Sequence, residues 1–277
     1  MERLLTTHEA AERAGVGPTA IKRWADSGLL PCVRTAGGHR RFREAELAAF
    51  LAHQGPASAE RSDDLAGLVE GLLLSTSAQE VEGLLLRLRG VQGAWHRTAT
   101  FVGRALVELG AAWARGEISV MDEHLASERL LRALTKLAES VPVDRDAPVA
   151  LLATVEGDEH LLGLALVELC LRERGLRTRW PGRSTPVEEV VTFLQRGGAQ
   201  LLAVSASVTA GTPERLGAWL ERVAPVCSAA GVELLLGGEG AWPDPPPLGA
   251  RLRSFDELNA FLSGWQAQKV GARAAVG

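Results

Sequence analysis

Apolar and polar positions change their spacing three times along the chain. Up to about Leu51, short helical segments flank a glycine-rich stretch, and from Asp63 to about Ser140 apolar residues recur at helical spacing throughout. Beyond residue 147, short apolar runs alternate with amphipathic helices, as in a parallel sheet covered by helices. We therefore predict a multidomain α and α/β protein: a head at 1–52, a linker at 53–62, a four-helix-bundle cap at 63–142 and a Rossmann-like domain at 147–265.

The third part is predicted to contain five short strands separated by helices. The strands are expected at 149–155, 177–180, 201–205, 232–236 and 250–252. The intervening helices include 161–174, 186–196 and 255–264. Such an order gives a doubly wound sheet, and ligands of these sheets bind beyond the carboxyl ends of the strands.

Polar and glycine residues follow three of these strands and are predicted to meet at that edge. His160 follows the first strand, Ser205 and Ser207 the third, and Gly237 and Gly238 the fourth. An imidazole can coordinate a transition metal, and Asp158 two residues earlier could polarise it. The glycines let a flat ligand approach the backbone. A lone loop histidine is more often solvated, so only the shared edge favours a site.

The head reads as a helix-turn-helix followed by a hairpin wing. Helices are predicted at 8–14 and 18–27, and two short strands flank Gly37 and Gly38. Basic side chains on the second helix and the wing are expected to contact DNA phosphates, which dominate DNA affinity. These residues are Lys22, Arg23, Arg34, His39, Arg40 and Arg41. The alternative is a solvated charge cluster on a small helical hairpin.

The cap carries a tryptophan and a Glu-His pair at the ends of two consecutive helices. Helical spacing places His124 on an apolar face, pointing inward, with Glu123 at the edge of that face. Trp113 ends the preceding helix. These residues fit a core tryptophan with a satisfied histidine, and they also fit the lining of a ligand pocket. The pattern alone leaves both interpretations open.

Composition narrows the setting of the protein. A net charge of −4 gives no overall attraction to nucleic acid, so a DNA-binding surface must be local. The three cysteines have neither a paired nor a metal-type spacing, as expected in a reducing compartment. No run of about 18 apolar residues predicts a membrane span, and the first residues lack a secretion signal. We expect a cytoplasmic protein without a membrane partner.

Three motifs carry a family resemblance that covers most of the chain. The order helix, turn, helix, glycine wing resembles the MerR-type head over about 50 residues. Asp158, His160 and Gly163, then Ser205 and Ser207, then Gly237 and Gly238 resemble the cobalamin-binding signature D-x-H-x-x-G, S-x-[hydrophobic or small], G-G. Trp113, nine residues and then Glu123-His124 resemble the cap motif of light-sensing cobalamin regulators. Together they are similar to the CarH/LitR family of cobalamin-dependent photoreceptor regulators.

The resemblance implies a function and roles for these residues. His160 would be the lower axial ligand of cobalt, while Ser205, Ser207, Gly237 and Gly238 would line the groove for the nucleotide tail. Trp113, Glu123 and His124 would cover the upper face against an adenosyl group. The protein would be a transcriptional regulator and not an enzyme, a repressor rather than an activator, and a homo-oligomer (dimer or tetramer). It would bind operator double-stranded DNA until light breaks the cobalt–carbon bond.

One position departs from the family pattern. A histidine that follows the cap tryptophan in well-known light-sensing members is replaced here by Ala114, which cannot bind a metal. Ligand binding is therefore better supported than a response to light. Three alternatives remain open: a regulator that does not respond to light, a pocket for another tetrapyrrole such as a bilin or haem, and a corrinoid carrier protein of an enzyme.

Overall fold

The computed structural model describes residues 4–14, 21, 22, 25, 30–35, 37–47 and 56–274, with the backbone alone at 12, 14, 56–64 and 267–274. The chain divides by its internal contacts into two compact units, Met1–Gly67 and Leu68–Gly277. The second unit holds both the predicted cap and the predicted α/β domain. The boundaries between the predicted domains remain predictions.

The first unit is a small head around a three-stranded antiparallel sheet. It contains β1 (Leu4–Leu5), α1 (Thr7–Ala14), β2 (Val33–Arg34) and β3 (Arg40–Arg43), and residues 44–47 are helical. The strand order is β1-β3-β2. Its core is formed by buried apolar side chains from β1, α1, β3 and the segments around them: Leu5, Ala10, Ala11, Ile21, Leu30, Phe42 and Leu47.

The sequence predicted the first helix and the wing of this head but not its first strand. Strands β2 and β3 pair as expected of a hairpin, with Arg34 opposite Arg40 and a left-handed Gly38 in the turn. Strand β1, which pairs with the other edge of β3, was not predicted because two apolar residues are too short a run to be recognised. The predicted turn at 15–17 and most of the second helix, including Arg23, lie outside the described residues.

A long helix replaces most of the predicted linker. Helix α2 spans Pro56–Leu74, so residues 56–62, predicted as an irregular linker, are helical. The prediction failed because this stretch has few apolar residues, and a helix without an apolar face gives no periodic signal.

Helices α3 (Ala78–Gln92), α4 (Trp95–Ala114) and α5 (Val120–Ser140) follow in short succession. Ser77 caps α3, and a left-handed Gly93 ends it. Ser119 and Asp122 form a reciprocal capping box at the start of α5. The capping box starts α5 at Val120, so the turn between α4 and α5 is five residues long.

The remaining residues form a doubly wound parallel sheet, as predicted. The strands are β4 (Val149–Thr154), β5 (Arg177–Arg179), β6 (Leu201–Ser205), β7 (Glu233–Gly237) and β8 (Ala250–Arg251), in the order β5-β4-β6-β7-β8. The helices are α6 (Leu162–Glu173), α7 (Val187–Gln195), α8 (Pro213–Ala230) and α9 (Phe255–Ala274). Each neighbouring pair of strands is parallel.

The sheet is buried on both faces, which explains its near-continuous apolar strands. One face packs against α7 and α8 through side chains such as Leu151, Leu202 and Leu234. The chain leaves β4 for the edge strand β5 and returns on the other side of β4 at the central strand β6, so strand order reverses between β4 and β6. This switch point is where ligands of such sheets bind. No helix among the described residues is long and apolar enough to cross a membrane.

Candidate ligand site at the sheet edge and under the cap

The loop after β4 presents one imidazole on a buried carboxylate. The carboxylate of Asp158 is fully buried, and its Oδ1 lies 2.9 Å from Nδ1 of His160. The same carboxylate accepts hydrogen bonds from the backbone N–H of His160 at 3.1 Å and of Ser207 at 2.7 Å. The hydroxyl of Ser207 adds a fourth at 2.9 Å. Yet the His160 side chain is 67% exposed, so the buried carboxylate holds an imidazole ring that faces outward.

The charge state of Asp158 follows from these contacts. Burial acts to raise its pKa, but the hydrogen bonds from Ser207 and His160 outweigh burial and hold the pKa of Asp158 below its usual value. An ionised carboxylate accepts Nδ1–H, which leaves the lone pair of the imidazole on Nε2. A ring fixed in this tautomer by a carboxylate is the usual arrangement of a metal-binding histidine.

The predicted edge residues do come together across the switch point. Ser205, the last residue of β6, is in register with Thr154 on β4 and with Gly237 on β7. The loop that carries His160 begins just beyond Thr154. The carboxyl ends of three adjacent strands therefore form one continuous edge.

A groove of about 220 Å³ opens at this edge and runs down between the sheet and helices α6 and α9. Apolar side chains dominate its lining, with a few polar groups at its mouth. Residues from five segments line it: Gly163, Leu164 and Val167; Ala203 to Ser205; Leu235 to Glu239; Leu252 to Ser254; and Phe255 and Leu258. Three of the predicted groove residues, Ser205, Gly237 and Gly238, lie in this lining.

Ser207 has a different role from the predicted one. It is absent from the groove lining and binds Asp158 through both its backbone N–H and its hydroxyl. Sequence spacing could not separate the two serines, because residues two apart at the end of a strand begin on the same face and diverge only in the following loop.

The glycines of the edge fall into two kinds. Gly238 has a φ of +77°, and a Cβ there would lie 2.2 Å from the carbonyl oxygen of Ala206, so the protein itself requires this glycine. Gly163 differs: a Cβ there would meet nothing within 4 Å. No contact of the described protein explains Gly163, whereas a ligand in the groove that it lines would.

The cap reaches past the sheet edge. The C-terminal residue of α6, Glu173, accepts a hydrogen bond from the N–H of Trp95, the first residue of α4, at 3.0 Å. From that point α4 runs back along α6, and at 1.5 Å per residue its 20 residues span about 30 Å against about 18 Å for the 12 of α6. The end of α4 that carries Trp113 therefore extends roughly 10 Å beyond the start of α6, on the side of His160.

We call the end of α4 and the start of α5 the cap tip, comprising residues 113–125. Trp113 is 49% exposed there, and the side chain of His124 is 72% exposed. The prediction that His124 points inward is wrong, since α5 buries a different face, which includes Ala126 and Leu130. Glu123 is half-buried, accepts a hydrogen bond from Ser127 at 2.6 Å and lies 3.6 Å from the His124 ring.

Sequence reasoning missed the residues that hold the cap to the sheet domain. Glu173 also binds Arg89 of α3, and Arg172 donates to the carbonyl of Ala138 at 2.9 Å. It also missed Phe255 and Leu258 in the groove. The three-residue spacing of Phe255 and Leu258 could have indicated an inward face, but contacts between residues 34 to 84 positions apart leave no local pattern.

In the head, most of the predicted DNA-binding residues cluster on the wing. Arg34 and His39 are exposed, and Arg40 and Arg41 are half-buried. Arg34 and Arg40 stand directly opposite each other in the hairpin register, so the wing carries several cationic side chains close together. Lys22 is exposed on a separate helical segment, and Arg23 is outside the described residues.

Comparison with known proteins agrees with this architecture. A model of the helix-turn-helix domain family matches residues 4–55. The transcriptional repressor CarH of Myxococcus xanthus is 27% identical over 222 residues, which cover 68% of this chain and 74% of that protein. The chain is CarH-like.

One further relative and one solved structure are also similar to this chain. The transcriptional repressor CarA of Myxococcus xanthus is 30% identical over 124 residues, 45% of this chain and 42% of that protein. The monomethylamine corrinoid protein of Methanosarcina barkeri matches in structure with a TM-score of 0.57 at 18% identity. That match covers 73% of this chain and 97% of the corrinoid protein, and it establishes the shared fold.

Proposed function

We propose that this protein is a cobalamin-binding transcriptional repressor, with His160 as the lower ligand of cobalt and adenosylcobalamin as the preferred form. The observation that carries the proposal is the conjunction of an outward imidazole, held on a buried carboxylate, with an apolar groove beside it. The cobalt of cobalamin would bind the imidazole, and its nucleotide tail would occupy the groove. Gly163, free of protein contacts, leaves room where the tail would enter.

Other tetrapyrroles fit these features less well. A haem also needs an axial imidazole but has no tail to fill the groove. A covalently attached bilin needs a reactive thiol, and Cys170 is 3% exposed in the core, where burial raises its pKa. Burial also raises the pKa of Cys227, to about 11.

Each part of the site would hold a different part of the ligand. Asp158 would orient His160, the groove walls Ser205, Gly237 and Gly238 would enclose the tail, and the cap tip would cover the opposite face. Bound adenosylcobalamin would supply a cobalt–carbon bond that light can break. Ala114 has no donor atom, so any light response in this protein proceeds without metal capture by that side chain.

The head would bind operator DNA through the wing. Arg34, Arg40 and Arg41 concentrate positive charge on the wing, and their contact with phosphates would release counterions from the DNA. Repressors among the relatives favour this function over that of a corrinoid carrier in an enzyme, because a carrier has no use for a helix-turn-helix domain.

Reconstitution tests the ligand. The full chain is mixed with adenosylcobalamin in the dark and desalted, and its absorption spectrum is recorded. We expect a retained corrinoid spectrum with nitrogen ligation from the protein, lost in His160→Ala and kept in the control His39→Ala, which removes an exposed imidazole from the head. A spectrum that His160→Ala leaves unchanged would refute the ligand assignment.

Spectra and size-exclusion chromatography before and after illumination test the light response and the oligomer. We expect a homo-oligomer, dimer or tetramer, in the dark. A change in both spectrum and size on illumination would support light control. Bleaching without a change in size would exclude a light-driven assembly switch.

Salt dependence of binding to double-stranded DNA tests the head. In Arg40→Ala combined with Arg41→Ala, the slope of log affinity against log salt should fall by about one for each phosphate that the variant no longer binds. The control Arg132→Ala removes one exposed cation from α5 and should leave the slope unchanged.

A further inference from the structure

A second pocket lies on the opposite face of the sheet from the groove. Its volume is about 310 Å³, at the lower end of the range for small-molecule sites. It is bounded by strand β5, the loop that follows it and the outer side of α7, with Leu151 of β4 in its lining. Nothing in the proposed cobalamin site uses this pocket.

Two guanidinium groups border the pocket without a partner. Arg179 comes from the end of β5, and Arg196 directly follows α7. Among the described residues neither guanidinium forms a hydrogen bond or an ion pair, whereas the guanidiniums of Arg177 and Arg183 bind the Arg145 carbonyl and Glu159. Two free guanidiniums at one cavity suit a phosphate, which accepts paired hydrogen bonds from arginine.

Two aromatic rings line the same cavity. Trp180 is half-buried beside Arg179, and Phe193 is half-buried on α7. A Cβ at Gly198 would lie 2.5 Å from the Phe193 ring, so glycine at that position allows the ring its place. The faces of indole and phenyl rings stack on planar heterocycles, whichever base the ligand carries.

One acidic group completes the lining. Glu189 lies on α7 among these residues and forms no ion pair with either arginine within the described part of the chain. A carboxylate next to an anion site is unfavourable unless the ligand also brings a hydrogen-bond donor. A ribose hydroxyl or an exocyclic amine is such a donor.

We propose that this pocket binds a nucleoside phosphate, with Arg179 and Arg196 on the phosphate, Trp180 and Phe193 against the base, and Glu189 on a hydroxyl or amine. This ligand would be additional to the corrinoid, and the inference does not depend on cobalamin binding. The cavity size excludes a polynucleotide.

Calorimetric titration of the full chain with ADP tests the proposal. We expect one ADP per chain and an affinity that falls about tenfold in Arg179→Gln and in Arg196→Gln, the effect expected for removing one charged hydrogen bond. Arg183→Gln is the matched control: it removes the same charge from the loop that follows β5, outside the pocket, and should change the affinity less than about twofold. Both arginines are exposed, so thermal melting of the variants should match the wild type.

Several outcomes would overturn it. No binding of ADP up to about 1 mM would remove the site. An equal loss in Arg183→Gln would reduce it to general surface charge. Adenosine binding as tightly as ADP would contradict the arginine contacts, and inorganic phosphate binding as tightly as ADP would contradict the stacking.

Discussion

The sheet edge and the cap tip face the same space but are built differently. At the sheet edge, four hydrogen bonds converge on the buried carboxylate of Asp158 and fix His160 and Ser207 together. At the cap tip, the indole of Trp113 is 49% exposed and the side chain of His124 is 72% exposed. Within the described part of the chain, the Glu123 side chain accepts a hydrogen bond only from Ser127, on the same helix. The sheet edge is therefore held by contacts between separate segments of the chain, whereas the side-chain contacts of Glu123 and His124 at the tip lie within one helix.

The anchoring of the cap explains this difference. Its base is fixed to the sheet domain by Glu173, which binds Arg89 and the start of α4, and by Arg172, which binds the carbonyl at the end of α5. The tip lies at the other end of both helices. These contacts therefore anchor the base of the cap to the sheet domain, away from the tip.

Gly238→Ala should have the largest effect on stability. The left-handed backbone costs an alanine about 1–2 kcal/mol, and the Cβ would lie 2.2 Å from the Ala206 carbonyl, which adds about 1–3 kcal/mol of overpacking. Chemical denaturation should show a loss of about 3 kcal/mol in the unfolding free energy. Gly110→Ala, which meets nothing within 4 Å in helix α4, is the control. Equal stability of both variants would show that the edge is not rigid.

Asp158→Asn should have the next largest effect and lower the free energy of unfolding by about 2 kcal/mol. Both oxygens of Asp158 accept hydrogen bonds, so the NH₂ group of asparagine would face an N–H or O–H donor whichever way it turns. Asp146→Asn, an exposed residue, is the control and should have little effect. The variant should also weaken cobalamin binding about 10–100-fold, because the imidazole loses its orientation.

The pH dependence of this variant has a defined sign. The folded-state pKa of Asp158 is lowered, so its stabilisation is fully present above the unfolded pKa, near 3.9, and is lost as pH falls through the lower folded value. The difference in stability between wild type and Asp158→Asn should stay constant from pH 7 to about 5 and shrink only below about 4. A difference that already shrinks at pH 6 would mean that Asp158 is not ionised through these contacts.

The sequence predicted those features that depend on local pattern. All five strands of the parallel sheet lie within two residues of their predicted ends. Three of them, β4, β6 and β7, are largely buried apolar runs, which is the pattern that a sheet covered on both faces produces. The ligand edge followed from the strand order, since the residues after β4, β6 and β7 must meet there. The Ser119 capping box was also recognisable from residue types alone.

Features that depend on three-dimensional packing were not predictable. Helical spacing assigned His124 to an inward face, but Met121 and Leu125 on that face are exposed at the cap tip, so apolar residues did not mark the core there. Ser207 binds Asp158, 49 residues away, and no periodicity reveals such a pair. The cap's extension past the sheet depends on the lengths of α4 and α6 and on the contact at Glu173.

Trp113→Ala tests the tip side of the comparison. Because the indole is 49% exposed, we expect a stability loss of about 1 kcal/mol or less, against about 3–5 kcal/mol for Trp219→Ala, whose ring is 7% exposed in the core. Cobalamin should nevertheless dissociate faster from Trp113→Ala, as measured by transfer of the corrinoid to a competing binder. A large stability loss would instead place Trp113 in the cap core.

Gly163→Ala should have the smallest effect on stability, because Gly163 lines the groove at the sheet edge but no atom of the described residues restricts a side chain there. Any change in ligand affinity can therefore be assigned to the groove. It lies in the first turn of α6, where alanine meets nothing within 4 Å and favours helix by up to about 1 kcal/mol. The apoprotein should therefore be as stable as the wild type or slightly more stable. Since the added methyl group faces the groove, cobalamin affinity should fall about tenfold, while cobinamide, which lacks the tail, should bind both proteins equally. If alanine at this position changed neither affinity, the groove would not hold the tail, and the apolar cleft beside His160 would need another explanation.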